Sequence, residues 1–345
     1  MKALTLTAIG GLEHLKVQDV PIPAPRGTDE VLVRVRTASL NRLDLFVVGG
    51  LPGLPRSFPH IMGADGAGVV EAHGPDARGV TPGDRVFINP GVSCGTCDWC
   101  EAGEQALCPE FAVLGEHRPG TIAEFVVVPA RNLAPVPAGM GWAQAAAFPL
   151  ATLTAWRMLI TRARLLPGET VLIWGIGGGV SQAALKIAKE TGARTIVTSS
   201  SDAKLERARA LGADVTLNHA VTDVAREVRS LTGRRGVEVV VDSIGEKTWE
   251  QSLRCLARMG RLVTCGGTSG PMVTTDVRKL FWYQWTILGS TMGNDAEFRA
   301  VTRLAHAGRL WPEVDSVFPL AEAGSAFHRL AKGVQLGKVV VEVSG

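Results

Sequence analysis

No apolar run in this sequence is long enough to cross a bilayer. The longest, Ala145 to Trp156, is too short and is interrupted by Pro149. The opening residues Met1-Lys2-Ala3-Leu4-Thr5-Leu6 lack the succession of charged, apolar and small residues that marks a secretory signal. Cysteine is scarce, with six in 345 residues. Four of these are clustered, so the chain lacks the cysteine usage of an oxidising compartment, and a cytoplasmic location is expected. Excess charge is also missing. The formal net charge is +3, which gives no support for a nucleic-acid or membrane-surface partner. There is no internal repeat and no low-complexity tract. What is left, 46% apolar and 20% charged residues, describes an ordinary soluble globular chain, long enough for two domains.

The cysteines that are present carry the strongest signal. Cys94, Cys97, Cys100 and Cys108 follow one another at spacings x2, x2 and x7. Thiolates on such tight turns can converge tetrahedrally on one Zn²⁺ at roughly 2.3 Å each. Four sulfurs leave no position for water or substrate, so the predicted site is structural. Unrelated free or disulfide-bonded cysteines are the alternative, but Cys255 and Cys265 lie far from the cluster.

The first third of the chain reads as β. Val31–Arg36, Arg85–Ile88 and Ala123–Val128 are strand candidates in a compact barrel or sandwich interrupted by the cysteine loop. Near residue 150 the pattern changes. Strand candidates at Val171–Trp174, Thr195–Thr198, Val237–Asp242, Arg261–Cys265 and Ile287–Leu288 alternate with helical stretches at Ser181–Thr191 and Ala203–Leu211. That alternation predicts an α/β fold with a doubly wound parallel sheet. β character returns at Val339–Val343.

Gly175-Ile176-Gly177-Gly178-Gly179-Val180-Ser181 follows a strand and opens a helix. Missing Cβ atoms let backbone approach a pyrophosphate, and the helix N-terminus supplies N–H donors. The string departs from G-x-G-x-x-G, because Val180 stands where the third glycine would be, and a plain glycine-rich turn is the alternative.

Together these features resemble the medium-chain alcohol dehydrogenase superfamily, and the glycine string is similar to the quinone-reductase form G-x-x-G-G-V-G with Ser181 in the last place. The resemblance covers essentially the whole chain. It implies a GroES-like catalytic domain with a structural zinc lobe over 1–150, a Rossmann dinucleotide-binding domain over 151–290, and a return to the catalytic domain over 291–345. NAD-dependent relatives place an acid at the end of the second strand. Here that position is Ser199, followed by Ser200 and, in the next helix turn, Lys204. Serine can donate to a 2′-phosphate that an acid would repel, so NADPH is the expected cofactor. Asp202 is read as a helix cap. The resemblance further implies cofactor contacts from Thr154, from Ser243 and Ile244, and from Gly266, Gly267 and Thr268. Arg42 and Lys338 match basic positions that approach the pyrophosphate.

The same resemblance shows what is missing from the chemistry. The positions of the catalytic zinc ligands are Asn41, Ala64 and Leu150, and Asp65 alone cannot hold an open zinc site. Leu43 and Phe46 stand where the proton relay would be. Asn41 with Asp44 is similar instead to the Asn-x-x-Asp of quinone oxidoreductases. Hydride addition to a conjugated acceptor spreads the developing charge, so one or two hydrogen-bond donors can replace a Lewis acid. The Asn41 amide is the candidate donor, with Asp65 paired to Lys338. His60 is read as a packed or surface histidine, and His117 as a candidate for the substrate cleft. The expected activity is NADPH-dependent reduction of quinones or activated enones. An alcohol or aldehyde dehydrogenase with no metal or an atypical one, and a noncatalytic nucleotide- or RNA-binding protein, are the alternatives. A homodimer paired through Thr286–Met292, or a higher homo-oligomer, is what the resemblance implies; an edge covered by a loop within a monomer is the alternative.

Overall fold

The computed structural model describes residues 1–51 and 57–344. The chain forms two compact units: Met1–Ala151 with Gly293–Gly345, and Thr152–Met292. None of the described helices is long and apolar enough to cross a membrane.

The first unit opens with β1 (Lys2–Leu6), β2 (Leu15–Asp19), β3 (Glu30–Ser39), α1 (Arg42–Gly49), β4 (His60–Ile61), β5 (Asp65–His73) and β6 (Arg85–Ile88). It continues with β7 (Gly91–Val92), α2 (Asp98–Glu101), β8 (Ala112–Val113), β9 (Phe125–Pro129), β10 (Leu133–Pro135) and α3 (Trp142–Ala147). In β3, Val31, Val33 and Val35 are fully buried and alternate with half-covered residues, the period-2 pattern of a strand with one face on the core. β3 pairs antiparallel with β5 and with β9. β9 begins at Phe125, later than the sequence pattern indicates, because Ala123 makes only an isolated bridge to Ala3.

The chain then passes through α4 (Pro149–Trp156). Proline suits a first helical position, where its missing N–H would be unbonded anyway. The long apolar run of the sequence is thus two short helices, and α3 packs on β3 and β5.

The second unit contains β11 (Thr170–Ile173), α5 (Gly179–Thr191), β12 (Arg194–Ser199), α6 (Asp202–Ala210), β13 (Val215–Asn218), α7 (Val224–Leu231), β14 (Val237–Val241), α8 (Trp249–Cys255), β15 (Leu256–Thr264), α9 (Val277–Tyr283) and β16 (Thr286–Gly289). The strands form one sheet in the order β13-β12-β11-β14-β15-β16, and every pairing is parallel. Such a sheet is covered on both faces, so β11 and β14 are near-continuous apolar runs rather than alternating ones. α5 stops at Gly192, whose φ of +80° is left-handed and open to glycine at no steric cost.

Two readings change here. β16 ends at Gly289, and Met292 has φ +47°, so the strand does not extend to Met292. Asp202 lies inside α6, whose cap residue is Ser201; the Asp202 carboxylate instead accepts from Asn218 Nδ2 at 2.7 Å.

The chain returns to the first unit with α10 (Asp295–His306), β17 (Val314–Pro319), α11 (Ala323–Lys332) and β18 (Lys338–Glu342). β18 pairs antiparallel with β3, placing Val340 opposite Ser39, and parallel with β17. The resulting sheet runs β10-β6-β5-β3-β18-β17.

Candidate active site, cofactor edge and cysteine cluster

The polar cluster of the first unit is set by three strand and helix ends. Asn41 follows β3 and caps α1. Its backbone N–H donates to Asp44 Oδ2 at 2.7 Å, as part of a reciprocal capping box. Asp65 starts β5 and is fully buried. Lys338 starts β18 and is 3% exposed.

The Lys338 ammonium donates to Asn41 Oδ1 at 2.5 Å and to Asp65 Oδ2 at 2.9 Å. Asn41 Nδ2 donates to the same Asp65 oxygen at 3.0 Å and to Ser39 O at 3.4 Å. The other Asp65 oxygen accepts from the Leu150 backbone N–H at 2.8 Å. The expected Asp65–Lys338 pair is therefore present. Asn41 and Leu150, which the resemblance places at metal-ligand positions, are joined through Asp65.

This network alters one reading. Both hydrogens of the Asn41 amide already have acceptors, so Asn41 offers no free donor. Lys338 directs its ammonium to Asn41 and Asp65. Arg42, at the first position of α1, remains exposed. Asp44 is almost fully buried, and burial pushes its carboxyl up to about 7, against the pull of the Asn41 amide and of Lys338. An unpaired charge at such a position is costly, which favours the protonated form.

His60 and His117 lie apart from this network's contacts. His60 Nε2 is 3.0 Å from Gly115 O, and His117 Nδ1 accepts from the Val113 backbone N–H at 3.2 Å. Both line a cavity of ≈ 180 Å³ with Ser57, Pro59 and Glu116.

In the second unit the remaining candidates other than Thr154 gather at the C-terminal edge of one parallel sheet. Gly175 follows β11 with φ +67°, and its N–H donates to Thr198 Oγ1 at 3.2 Å. Gly177 lies in the turn, Gly178 caps α5, and Gly179 and Val180 begin the helix. The first N–H groups of α5 have no intrahelical acceptor, as at any helix start. Ser199 ends β12 with its Oγ accepting from Ser201 N at 3.1 Å; Ser200 is exposed, and Lys204 sits in the first turn of α6.

Ser243 and Ile244 follow β14, while Gly266, Gly267 and Thr268 follow β15. Thr268 N donates to Ser243 O at 3.2 Å and Ser269 N to Ile244 O at 2.8 Å, so the two loops are tied together. Thr154, on α4, is buried, and its Oγ1 lacks a partner among the described residues. An orphaned buried hydroxyl, a glycine turn and an open helix start all fit a dinucleotide.

One residue escaped the sequence reading. His219 directly follows β13, donates its backbone N–H to Ser199 O at 3.0 Å, and places Nδ1 3.2 Å from Thr198 Oγ1. Burial holds its imidazole below the usual value. Reading Val215-Thr216-Leu217 as a strand would have put His219 on the same edge.

The four cysteines of the lobe converge. All four sulfurs lie within 4.8 Å of one another, with Cys108–Cys94 at 3.5 Å and Cys94–Cys100 at 3.9 Å. A tetrahedron with bonds of roughly 2.3 Å has edges of about 3.8 Å, so the set fits one zinc ion. The Thr96 N–H donates to Cys94 Sγ and lowers that thiol to about 6. Gln105 ties the lobe down, donating to Cys100 O at 3.2 Å and accepting from Asp295 N at 3.3 Å.

Comparison with known proteins agrees with this architecture. Residues 27–138 match the alcohol dehydrogenase GroES-like domain, and residues 179–307 match the zinc-binding dehydrogenase family. A zinc-type alcohol dehydrogenase-like protein of Schizosaccharomyces pombe is 34% identical, with 97% of each chain covered. A quinone oxidoreductase of Pseudomonas aeruginosa is 33% identical, with 99% of each covered. A solved NAD-dependent alcohol dehydrogenase superposes with a TM-score of 0.95 at 46% identity over 100% of both chains. With its GroES-like and Rossmann-like parts and its relatives among both quinone and alcohol oxidoreductases, the chain belongs to the zinc-type medium-chain dehydrogenase/reductase superfamily.

Proposed function

We propose that the protein reduces quinones or activated enones with NADPH, without a catalytic zinc. The observation that carries this reading is the fate of the three ligand positions. Asn41 and Leu150 bind Asp65, Ala64 is fully buried with no donor atom to offer, and an ammonium occupies the network. An amide, a methyl group and an isobutyl group do not form a three-ligand zinc site. A conjugated acceptor spreads the charge that hydride addition creates, and so depends least on a Lewis acid.

The second unit's strand edge supports nucleotide binding. NADPH supplies the hydride when bound. The glycine turn and the start of α5 would face its pyrophosphate, and Ser199, Ser200 and Lys204 its 2′-phosphate. Ser199 favours this choice because it carries no charge to repel a phosphate. The four cysteines of the lobe would hold a structural zinc remote in kind from the reaction, since all coordination positions are filled by sulfur.

NADPH and NADH oxidation should be followed against quinones, enones and simple aldehydes, with zinc content measured in parallel. Turnover confined to simple alcohols or aldehydes and dependent on a second bound metal would reject the proposal. The similarity to an NAD-dependent alcohol dehydrogenase favours that second reading, with NADH as the preferred cofactor.

The chain is also proposed to form a homodimer. β16 is a terminal strand of its sheet, and Val277, Phe281 and Trp282 on neighbouring α9 are each about two-thirds exposed. Pairing of β16 with a second copy would satisfy its open backbone groups and cover this surface. Light scattering that shows only monomer would count against it.

A further inference from the structure

We infer that Asp242 is the positioning residue for the nicotinamide half of the cofactor. This rests on the dinucleotide reading above and deepens it. Asp242 directly follows β14, is fully buried, and accepts four hydrogen bonds through its carboxylate. Its Oδ1 accepts from the Ile244 N–H at 2.8 Å, the Gly245 N–H at 3.1 Å and the Thr248 hydroxyl at 2.9 Å. Its Oδ2 accepts from the Ser252 hydroxyl at 2.6 Å. Thr248 caps α8 and Ser252 lies within it, so one carboxylate ties the turn after β14 to the body of that helix.

The hold extends to the loop after β15. Besides the bonds of Thr268 and Ser269 described above, Glu246 N donates to Gly270 O at 3.2 Å. The Ser269 hydroxyl accepts from Lys247 N at 3.1 Å and donates to Ile244 O at 2.8 Å. A Cβ on Gly245 would meet Gly270 O at 2.5 Å, and its φ is +85°, so this approach of the two backbones requires glycine. Residues 243–248 and 266–270 are therefore joined into one piece, with Asp242 beneath it. Ser243, Ile244, Gly266 and Thr268 stay at the surface of that piece.

Placement along the sheet decides which half of the cofactor meets it. β11 has β12 on one side and β14 on the other, and β15 lies beyond β14. The glycine turn after β11 would face the pyrophosphate, and Ser199 at the end of β12 the 2′-phosphate. A dinucleotide laid across the strand ends then carries its nicotinamide over β14 and β15. Asp242 acts there through the loops, since its own hydrogen bonds are to protein groups.

Hydrogen exchange in the free protein reads this positioning without any nucleotide. Asp242→Ala should speed exchange of the Ile244, Gly245, Thr268 and Ser269 amides by at least about tenfold and leave those of Ile176 and Gln182, around the glycine turn, unchanged. The same variant should weaken NADPH binding by at least about tenfold, while 2′,5′-ADP, which has no nicotinamide, stays within about twofold. Asp242→Asn keeps one oxygen for Ile244 and Gly245 and should bring both properties back to within about threefold. Ser252→Ala, which releases Oδ2 alone, serves if the Asp242→Ala protein does not fold, with exchange at the same amides faster by at least about threefold. Unchanged exchange, or an equal loss for 2′,5′-ADP, overturns the assignment. An unaltered protein that binds neither NADPH nor NADH would reject the proposed cofactor, and with it the role toward nicotinamide. That failure is distinct from a failure at Asp242, because exchange is measured with no nucleotide present.

Discussion

The Ser181 hydroxyl donates back to the carbonyl of Gly175 at 2.7 Å, with the Gly178 carbonyl at 3.0 Å as a second acceptor. The residue standing in for a glycine thus clasps the turn that precedes its own helix. Ser181→Gly would restore the more familiar glycine string, yet it should weaken dinucleotide binding by about three- to tenfold, the worth of one modest hydrogen bond plus lost backbone order. NADPH and NADH should suffer alike, because the clasp acts on the pyrophosphate turn. Fluorescence titration with both cofactors and with 2′,5′-ADP, which lacks the pyrophosphate, checks this. An equal loss for 2′,5′-ADP would show that the effect is not confined to the turn.

Cofactor choice should reside at the end of β12. Ser199→Asp is expected to weaken NADPH by at least about tenfold through like-charge repulsion, and to leave NADH within a few-fold. His219 adds a pH dependence. Its imidazole is held below its usual value in the free protein, and a 2′-phosphate would raise it again by favouring imidazolium. NADPH binding should therefore take up a proton and tighten as pH falls from about 8 to 6. The phosphate titrates in the same range, so the diagnostic is the difference between the protein and His219→Gln, measured by calorimetry in buffers of different ionisation enthalpy. Identical proton uptake in both would remove His219 from the site.

The lobe should contain a single zinc ion. Metal analysis with anomalous scattering should place it among Cys94, Cys97, Cys100 and Cys108. Cys100→Ala should release it and lower the thermal midpoint. NADPH affinity should stay within about twofold, because the strand-edge residues belong to the other compact unit. Full zinc occupancy after removal of Cys100 would contradict the four-sulfur site.

Asp44 should make stability fall toward alkaline pH. Its folded value is raised from 3.8 to about 7. The folded protein therefore keeps a proton that the unfolded chain releases. That contribution is complete below about pH 4, declines by up to about 1.4 kcal/mol per pH unit above it, and is gone once pH passes through about 7. Asp44→Asn retains an oxygen for the Asn41 N–H and cannot ionise. The variant should lose this slope and gain on the original protein between pH 5 and 8 in denaturant titrations. Parallel pH profiles would show that Asp44 is not the group responsible.

What the sequence disclosed depended on how locally each feature is encoded. The buried alternation of Val31, Val33 and Val35 and the solid apolar block of β14 state their burial directly. The cysteine spacing and the glycine turn are also short-range patterns. β13 was missed because all four of its residues are only half-buried, which leaves neither alternation nor a solid block to read. His219 was missed with it. β16 stops at Gly289, three residues short of the left-handed Met292, whose conformation gives no compositional signal. The commitments of Asn41 and Lys338 were the least legible, since the pairing of β18 with β3 decides which side chains meet. Residue types alone marked both as interesting but could not reveal that each satisfies the other.

That pairing has a consequence for how the protein is made. Asn41 and Lys338 are 297 residues apart, with the whole dinucleotide-binding unit translated between them. At ~5–20 residues per second, roughly 15–60 s separate the two on the ribosome. Until that interval ends, Asp65 and Asn41 lack the Lys338 ammonium, and the intervening sheet is fully synthesised before Lys338 is added. Vectorial synthesis thus gives the nascent chain its nucleotide-binding half before its polar cluster. A polypeptide released before Lys338 would retain the nucleotide-binding strands and lack the charge that completes the cluster.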